Sequence, residues 1–388
     1  MTVQNPNENL SFFAGIWRSR RWYGAEWYLT AAGGCLLAAI LLMTLFASFF
    51  PSLLPFDPTD NQVGAPFTSP GGGRQVLLLP ASHAPVSVPQ GLSALKLGAV
   101  RGSNGNLYLQ NEKIPRQRYD DMQAALTVLD SGEVDGVVVD EAQAPDILGQ
   151  AGGKLRQEGE SFGNRFVLGT DQRGRDMFSR TLAGGKTVLT VALIAALISA
   201  TVGISVGLLS GFVGGGLDRS LSLVMDSIYA FPGLILAIAM AAMLGPGILN
   251  IALAISVVYI PTYFRVVRGM VLSIKQDVYV DAARSLGARS HTILVQYILP
   301  NVVPSIVVVF SLNVADAILT EAGLAFIGLG LQEIPDWGWD LSNGQRYLIA
   351  GQWWMIIFPG LMITLVTLGF SLLGEGLAEI LNPRLVEG

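Results

Sequence analysis

Long apolar runs without charge recur near the start of this chain and dominate its second half. A helix needs about 20 mostly apolar residues to cross a bilayer. The pattern predicts six such spans, at residues 27–56, 187–217, 221–244, 248–267, 300–329 and 347–374. The third and fourth are separated at 244–250, where Pro246 lies between two glycines and favours a turn. We therefore predict an all-α polytopic membrane protein with six transmembrane helices.

Composition and charge agree with this class and suggest an orientation. Hydrophobic residues make up 51% of the chain and charged residues 14%, against about 25% charged in an ordinary soluble domain. The short loops on one side of the predicted spans carry only Arg346, whereas basic residues are frequent on the other side. Because Lys and Arg favour the cytoplasmic side, we predict that both termini are cytoplasmic, with 1–26 as a cytoplasmic segment. No strongly basic surface points to nucleic acid.

Residues 57–165, between the first two spans, are predicted to form an extracytoplasmic linker and a small α/β lobe. The linker is rich in Pro and Gly. A short apolar strand is predicted at 95–102, an amphipathic helix at 119–132 with Gly132 ending it, and a near-continuously apolar strand at 134–140. The lobe is thus an insertion between transmembrane helices one and two.

The lobe resembles one half of the solute-binding proteins that serve amino-acid importers. The resemblance rests on a short motif whose residues here are Leu129, Gly132, Val134, Asp135, Val137, Val138 and Asp140. Such proteins close two lobes around a ligand, and this insertion has room for one. Two interpretations remain open: a folded spacer, or a surface that includes Arg101, Gly102 and Asp140 and handles substrate over the pore mouth.

A polar cassette, "YVDAARSLGARSHTILVQYILPN", interrupts the apolar sequence between spans four and five. A short helix is predicted from 275 to 286, with Gly287 in the left-handed conformation that ends it. Ala282, Ala283 and Leu286 are predicted to share one face. Considered alone, this helix either rests on lipid head groups or offers small side chains to a partner protein.

The cassette resembles the EAA signature of importer-type ABC permeases, since "DAA-x-x-x-G" is followed by "ILPN". The resemblance implies a coupling helix at 275–287 that docks into a cytoplasmic ATPase through Asp281, Ala282, Ala283, Leu286 and Gly287. Asp281 stands where the family usually has glutamate, which keeps the charge but shortens its reach.

Three further stretches resemble the oligopeptide/dipeptide/nickel branch of that family. They are "LGTDQRGRDMFSRTLAGGKTVL" at 168–189, "MDSIYAFPGLILAIAMAAMLGPG" at 225–247 and "EAGLAFIGLGLQEIPDWGWDL" at 321–341. Their order implies a five-helix permease core over 166–388. The family pattern lacks the lobe, which is where this chain departs from it.

The resemblance also implies a function and a set of partners. The chain would be a subunit of an ATP-driven importer in a prokaryotic plasma membrane, carrying peptides or a related small solute. It would pair with a second homologous permease subunit, two cytoplasmic ATPase subunits and an extracytoplasmic solute-binding protein, within membrane lipid. It would bind no cofactor and catalyse no reaction, because ATP and Mg²⁺ are used by the ATPase subunits.

Two local signals are set aside. The stretch "GGKT" at 184–187 is similar to a phosphate-binding loop, but that motif needs an earlier glycine where Arg180 stands. The only histidines, His83 and His291, are predicted on opposite sides of the membrane. The sequence therefore predicts neither a metal site nor a catalytic constellation.

Two acids in the fifth span carry more information. A charge in a bilayer core is costly and usually faces the bundle interior or a water-filled path. Asp316 and Glu321 are therefore expected either to pair with a neighbouring helix or to lie on the translocation path, where one would favour a cationic group of the substrate.

The alternative function is a membrane receptor that senses a small ligand through its outer lobe. It is disfavoured because the inner segments are too short to hold an enzymatic output domain. Copurification separates the two, since a transporter brings down ATPases and a receptor does not.

Overall fold

The computed structural model describes residues 25–61, 63–332 and 334–380, so the predicted segment 1–26 lies almost wholly outside the described residues. In chain order the elements are α1 Ala25–Phe49, a 3-10 turn Pro51–Leu53, β1 Gln75–Pro80, a 3-10 turn Leu92–Ala94, β2 Leu97–Val100, α2 Asn104–Asn111, β3 Arg116–Tyr119, α3 Met122–Asp130, β4 Gly136–Asp140, α4 Ala144–Gln150, β5 Leu155–Phe162, α5 Met177–Val213, α6 Gly215–Tyr229, α7 Gly233–Leu244, α8 Ile248–Ile274, α9 Val278–Ser285, α10 Ser290–Thr292, a π-helical stretch Ile293–Ile298, α11 Leu299–Phe326, α12 Trp337–Tyr347 and α13 Trp354–Ile380. The segment from α10 to α11 forms one apolar helical stretch, Ser290–Phe326.

Within the described residues, five helices are long and apolar enough to cross a membrane, and a sixth crossing is available if α6 and α7 act together. The predicted number of spans is therefore confirmed. The predicted span at 221–244 corresponds to α6 and α7 together, which meet at an angle of 89° that the sequence did not predict. Pro232 lies at this break and has no amide hydrogen to continue the ladder of α6.

A stripe of glycines makes the closest contact between two spans. An added Cβ at Gly203 would lie 2.6 Å from the Ile260 carbonyl oxygen, and one at Gly207 would lie 2.9 Å from the Phe264 carbonyl oxygen. Small residues at such spacing let two backbones approach inside a membrane. The contacts advance in the same direction along both helices, so α5 and α8 are parallel. The chain must return across the membrane between them, and α6 with α7 makes that return.

The connections define two faces of the helical bundle. On the lobe face, Trp337 Nε1 donates to the Thr181 carbonyl at 2.7 Å, and Trp354 Nε1 donates to the Thr170 carbonyl at 3.0 Å. On the opposite face, the Lys275 ammonium donates to the Gly211 carbonyl at 2.8 Å. The lobe and α12 therefore lie at one end of the bundle, and α9 lies at the other.

The lobe is a five-stranded mixed sheet in the order β3-β2-β4-β1-β5. β2 runs parallel to β3 and β4, whereas β1 is antiparallel to β4 and β5. The predicted strand–helix–strand unit corresponds to β2, α3 and β4, and Gly132 follows α3 with φ +75°. The prediction missed three strands and two helices. β5, "LRQEGESF", is polar and largely accessible, so its apolar pattern is weak.

The two ends of the lobe lie side by side. Gln75 at the start of β1 pairs with Phe162 at the end of β5. Just beyond them, the Phe166 amide donates to the Gly72 carbonyl at 2.9 Å and the Gly71 amide donates to the Phe166 carbonyl at 2.7 Å. The lobe is thus a closed insertion on a narrow stem.

Candidate functional site

Helix α9 lies on the opposite face with its underside packed against the bundle. Val280 and Ala283 are buried. Val280 joins an apolar cluster contributed by α8, the π-helical stretch and α11, namely Val267, Val271, Ile293, Ile298 and Val302. Asn301 Nδ2 also donates to the Tyr279 hydroxyl at 3.2 Å. Both neighbouring spans therefore contribute to the anchor of α9.

The outer side of α9 is apolar as well as charged. Val278 and Leu286 are 85% and 89% exposed, and Asp281 and Ala282 are also exposed. Apolar side chains grouped in this way are typical of a protein contact. The expectation that Ala283 shares this surface with Ala282 and Leu286 is wrong, because the helical rotation points Ala283 into the bundle.

The end of α9 is built around one residue in the left-handed region. Gly287 has φ +83°. Its amide donates to the Arg284 carbonyl and the Ala288 amide donates to the Ala283 carbonyl, both at 3.0 Å. This pair of bonds is a Schellman motif, which glycine favours. The predicted left-handed ending is therefore present.

Asp316 lies on a surface of α11 that this chain leaves open. Its side chain is exposed, and the neighbouring Leu312 and Leu319 are 37% and 52% exposed. Tyr259 of α8 approaches the same surface. Its hydroxyl is hydrogen-bonded to Thr320 Oγ1 at 2.8 Å, and the charge of Asp316 acts on it electrostatically. A carboxylate facing lipid is costly, so this polar strip is a candidate for a water path or for a contact with another protein.

Glu321 lies five residues further along α11, on a different face of the helix, and is buried, with 1% of its surface exposed. Its carboxyl group makes a side-chain hydrogen bond with Asp336, the residue that caps α12. Glu321 is therefore inside the bundle, as expected, but contacts a second acid and not the open strip around Asp316.

Buried charges on the lobe face form what we call the lobe-face polar layer, comprising Asp171, Arg175, Asp176, Arg180, Asp336 and Asp340. Arg180 pairs with Asp340, Nη2 to Oδ1, at 2.6 Å, and Arg175 pairs with Asp171, Nε to Oδ2, at 2.6 Å. Burial raises the pKa of the Asp340 carboxyl, and the charge and hydrogen bonds of Arg180 oppose that rise. Two of the motifs noted in the sequence therefore contact each other here, because Arg180 belongs to the first and Asp340 to the last.

The same layer ties the connecting segments to the spans. Asp176 caps α5 by accepting from the Ser179 amide at 2.8 Å. Arg180 Nη1 donates to the Pro58 carbonyl at 2.9 Å, and the Thr187 hydroxyl donates to the Pro335 carbonyl at 2.8 Å. Segments on both sides of the lobe and the loop before α12 are thus held to α5.

A cavity of about 630 Å³ opens beside this layer. One wall is the turn between α7 and α8, including Gly245 and Pro246, and the other is the loop that follows α11. The loop residues that line it are Gly328, Leu329, Gly330, Leu331, Gln332 and Ile334. The lining is largely apolar, and the lobe-face position makes this cavity a candidate mouth of a path.

Asn104, the first residue of α2, joins the lobe to the linker. It is 5% exposed, its Oδ1 accepts from the Ala65 amide at 2.7 Å, and its Nδ2 donates to the Thr68 hydroxyl at 3.0 Å. The Thr68 amide in turn donates to the Thr170 hydroxyl at 2.8 Å. A buried chain of hydrogen bonds therefore runs from the lobe to the segment before α5.

The predicted surface residues of the lobe fall into two groups. Arg101 and Gly102 are exposed, and Arg101 pairs with Asp120 at 3.2 Å. Asp140 is half-buried and makes a side-chain hydrogen bond with Asn104. Burial raises the pKa of Asp140 and this hydrogen bond opposes the rise. Asp140 therefore belongs to the junction and not to the free surface predicted for it.

The "GGKT" stretch has a packing role. An added Cβ at Gly184 would lie 2.8 Å from Trp337 Cδ1, and one at Gly185 would lie 2.5 Å from Thr44 Oγ1. The two glycines let α12 and α1 pack directly onto α5. Within the described ranges, no cluster of three or more His, Cys, Asp or Glu side chains is arranged to hold a metal.

Several residues of the site were not singled out from the sequence. Arg180, Asp336 and Asp340 lie in recognised motifs, but nothing in a linear motif says which member pairs with which. The only sequence feature that could have indicated Asn104 is its position after a predicted strand. Functional side chains are often found there, at the edge of a sheet. Tyr259 falls in an apolar span and carries no pattern of its own.

Comparison with known proteins gives one family and clear relatives. Residues 203–387 match the family described as "Binding-protein-dependent transport system inner membrane component". The glutathione transport system permease protein GsiD of Pectobacterium atrosepticum is 42% identical over 56% of this chain and 72% of its own length. The probable D,D-dipeptide transport system permease protein DdpC of Escherichia coli is 41% identical over 56% of this chain and 73% of its own length.

Several solved structures are similar to parts of the chain, and one of them matches about a quarter of it. An ancestral arginine-binding protein bound to glutamine is 22% identical, with a TM-score of 0.23, over 26% of this chain and 45% of its own length.

Proposed function

This chain belongs to the family of inner-membrane components of binding-protein-dependent transport systems, and from that premise we propose that α9 is the element through which partner ATPases drive transport. The chain is a multi-pass permease subunit of an ABC importer and not an enzyme. The observation that carries the proposal is that α9 has two different sides. Its outer side is exposed at Val278, Asp281 and Leu286, and its underside is anchored to two spans.

The two faces of the helical bundle are proposed to lie on opposite sides of the membrane. The face with α9 is cytoplasmic, where ATP is available, and the lobe face is extracytoplasmic. The distribution of basic residues supports this orientation, because Lys275, Arg284 and Arg289 lie at the α9 end of the bundle.

The proposed transport cycle is alternating access. Closure of two ATPase subunits on ATP and Mg²⁺ moves the α9 helices of this chain and of a second, homologous permease subunit. Because both neighbouring spans anchor α9, the motion rocks those spans and reshapes the path between the subunits. An extracytoplasmic solute-binding protein delivers the substrate at the lobe face.

The proposed cargo is a peptide or a related small solute. The names of the two relatives, which refer to glutathione and to a D,D-dipeptide, support this class. The strip of Tyr259, Asp316 and Thr320 is the proposed contact in the path, because it offers a carboxylate and two hydroxyls on an otherwise apolar surface. Asp316 would attract the cationic amino terminus that most peptides carry.

The lobe is proposed to act at the entrance of the path. It is held to the segment before α5 through Asn104 and Thr68, so it has a defined place on the lobe face. A single lobe cannot enclose a ligand from two sides. Its exposed turn at Arg101 and Gly102 is therefore proposed to guide substrate or to contact the docked binding protein.

Copurification with a surface variant tests the coupling role. The full-length chain, purified from its native membrane, should bring down ATPase subunits. Leu286→Asp places a charge on the outer side of α9 and should abolish their recovery. Ile349→Asp is the matched control, because Ile349 is fully exposed on the lobe face. Equal recovery of ATPases with both variants would reject α9 as the contact.

A further inference from the structure

Two buried carboxyl groups contact each other on the lobe face without a basic residue between them. Glu321 and Asp336 are 1% and 0% exposed, and their side chains share a hydrogen bond. Each group has a buried oxygen, Glu321 Oε2 and Asp336 Oδ2, to which no N–H or O–H of the described residues outside the pair donates, whereas Asp336 Oδ1 accepts from the Trp339 amide. Since two carboxylates only accept, a hydrogen bond between them requires a proton on one.

The surroundings decide which residue carries that proton. Asp336 caps α12 and accepts from the Trp339 amide at 3.1 Å and from the Gly338 amide. The amino end of a helix favours negative charge. Among residues 25–61, 63–332 and 334–380, only Asp336 makes a side-chain hydrogen bond with the Glu321 carboxyl group. Asp336 is therefore the carboxylate and Glu321 the donor.

Charged groups around the pair do not replace the proton. Arg180 of α5 and Asp340 of α12 both act electrostatically on Asp336, but they form their own ion pair at 2.6 Å. Arg175 and Asp171, one layer further out, are paired in the same way. Burial raises the pKa of Asp336, and the hydrogen bond from Glu321 lowers it.

The pair closes a loop that forms a wall of the cavity. Glu321 is on α11 and Asp336 starts α12, and the residues that line the cavity of about 630 Å³ lie on the chain between them. Close packing supports the same junction, because an added Cβ at Gly338 would lie 2.5 Å from the Ala322 carbonyl oxygen. The hydrogen bond thus fixes both ends of this loop.

We propose that Glu321 is a positioning residue that stays protonated at neutral pH and clamps the cavity loop to α11 by donating its proton to Asp336. The clamp itself does not depend on the proposed function. Only the role of the cavity loop at the mouth of the transport path rests on the proposed function.

The clamp has a defined pH dependence. If it opens to water, both acids ionise near their ordinary values, so the closed form binds one more proton than the open form. Because the closed form binds the extra proton, the stabilisation is complete in acid and is lost at alkaline pH, where that proton is released. Glu321→Gln keeps an N–H donor that cannot ionise, so its clamp should be independent of pH.

Infrared spectroscopy of the full chain in lipid nanodiscs tests this directly. Wild type at neutral pH should show the carbonyl band of a protonated carboxylic acid, and the band should vanish on strong alkalinisation. Glu321→Gln should remove it, whereas Asp316→Asn, a change at an exposed acid, should leave it. Absence of the band in wild type overturns the proposal without reference to any variant, as does its persistence in Glu321→Gln.

Thermal unfolding supplies the second readout. The midpoint should fall with rising alkaline pH in wild type and change less in Glu321→Gln, while Glu321→Ala should be destabilised at every pH. Equal pH profiles for wild type and Glu321→Gln would contradict the clamp. Failure of Glu321→Gln to fold would also contradict it, because the amide retains the size and the donor of the protonated acid.

Discussion

Arg180, in the first turn of α5, and Asp340, in α12, form an ion pair that is almost completely removed from solvent, with Nη2 and Oδ1 2.6 Å apart. The two residues are 160 positions apart in the chain. Their contact joins the two motifs that border the lobe face, and it forms the centre of the lobe-face polar layer.

Arg180→Gln should therefore destabilise the protein strongly. Removing one partner of a buried pair leaves an uncompensated charge and costs about 3–5 kcal/mol. We expect a large fall in the thermal midpoint of the purified chain, measured by fluorescence-detected size exclusion. Arg101→Gln is the control, because its pair with Asp120 is exposed and exposed pairs contribute little. Similar midpoints for the two variants would contradict the role given to Arg180.

The glycines of α5 that face α8 should not tolerate larger side chains, whereas a glycine outside this contact should. Gly207→Leu places a side chain against the Phe264 carbonyl of α8, and overpacking of this kind costs about 1–3 kcal/mol or more. Gly269→Leu, in α8, meets no atom within 4 Å and should be tolerated. Yield and thermal midpoint in detergent measure the difference. Tolerance of Gly207→Leu would argue against the parallel contact between α5 and α8.

The effect of replacing Gly287 at the end of α9 should come from backbone conformation and not from a steric clash. An added Cβ at Gly287 meets nothing within 4 Å, but φ is +83°. Gly287→Val should therefore strain the turn by about 1–2 kcal/mol and weaken ATPase recovery and transport-coupled ATP hydrolysis. Gly287→Asn is the matched variant, since Asn tolerates this region better, and should retain more activity. Full activity of Gly287→Val in the assembled importer would contradict the assignment.

Asp316 should affect the choice of substrate. If its carboxylate binds an amino terminus, Asp316→Asn should raise the apparent KM for a free dipeptide about tenfold, which corresponds to about 1.4 kcal/mol. The same dipeptide with an acetylated amino terminus should be transported equally by both proteins. Asp226→Asn serves as control, because Asp226 pairs with Arg265 towards the opposite face. An equal loss for both dipeptides would remove the proposed contact.

Deleting the lobe should impair the capture of substrate and leave its translocation intact. The stem contacts between Gly72 and Phe166 remain if residues 75–162 are replaced by a short Gly/Ser linker. The spans and α9 should be unaffected, since the lobe is at the other end of the bundle. Uptake should fall mainly at low substrate concentration.

Asn104→Ala provides a finer version of the same experiment. It keeps the lobe but removes the hydrogen bonds to Ala65 and Thr68, so we expect a smaller defect of the same kind. Unchanged uptake by the deletion across the whole concentration range would reduce the lobe to a spacer.

The sequence by itself determined the class, the number of crossings, the position of the lobe and the ending of α9 at Gly287. These features depend on local quantities: the length of an apolar run, the distribution of charge, and a glycine placed after a helical pattern. The bend within the span at 221–244 was not predicted, because hydrophobicity averaged over those residues does not register the break at Pro232.

Only the tertiary structure decided which buried charges meet. Asp316 and Glu321 look alike in the sequence, yet one faces an open strip and the other contacts Asp336. The orientation of a side chain around a helix and the loops that return to it are set by packing between distant segments. The energy of a buried charge depends on its nearest partners, and those partners are brought together only when the helices assemble.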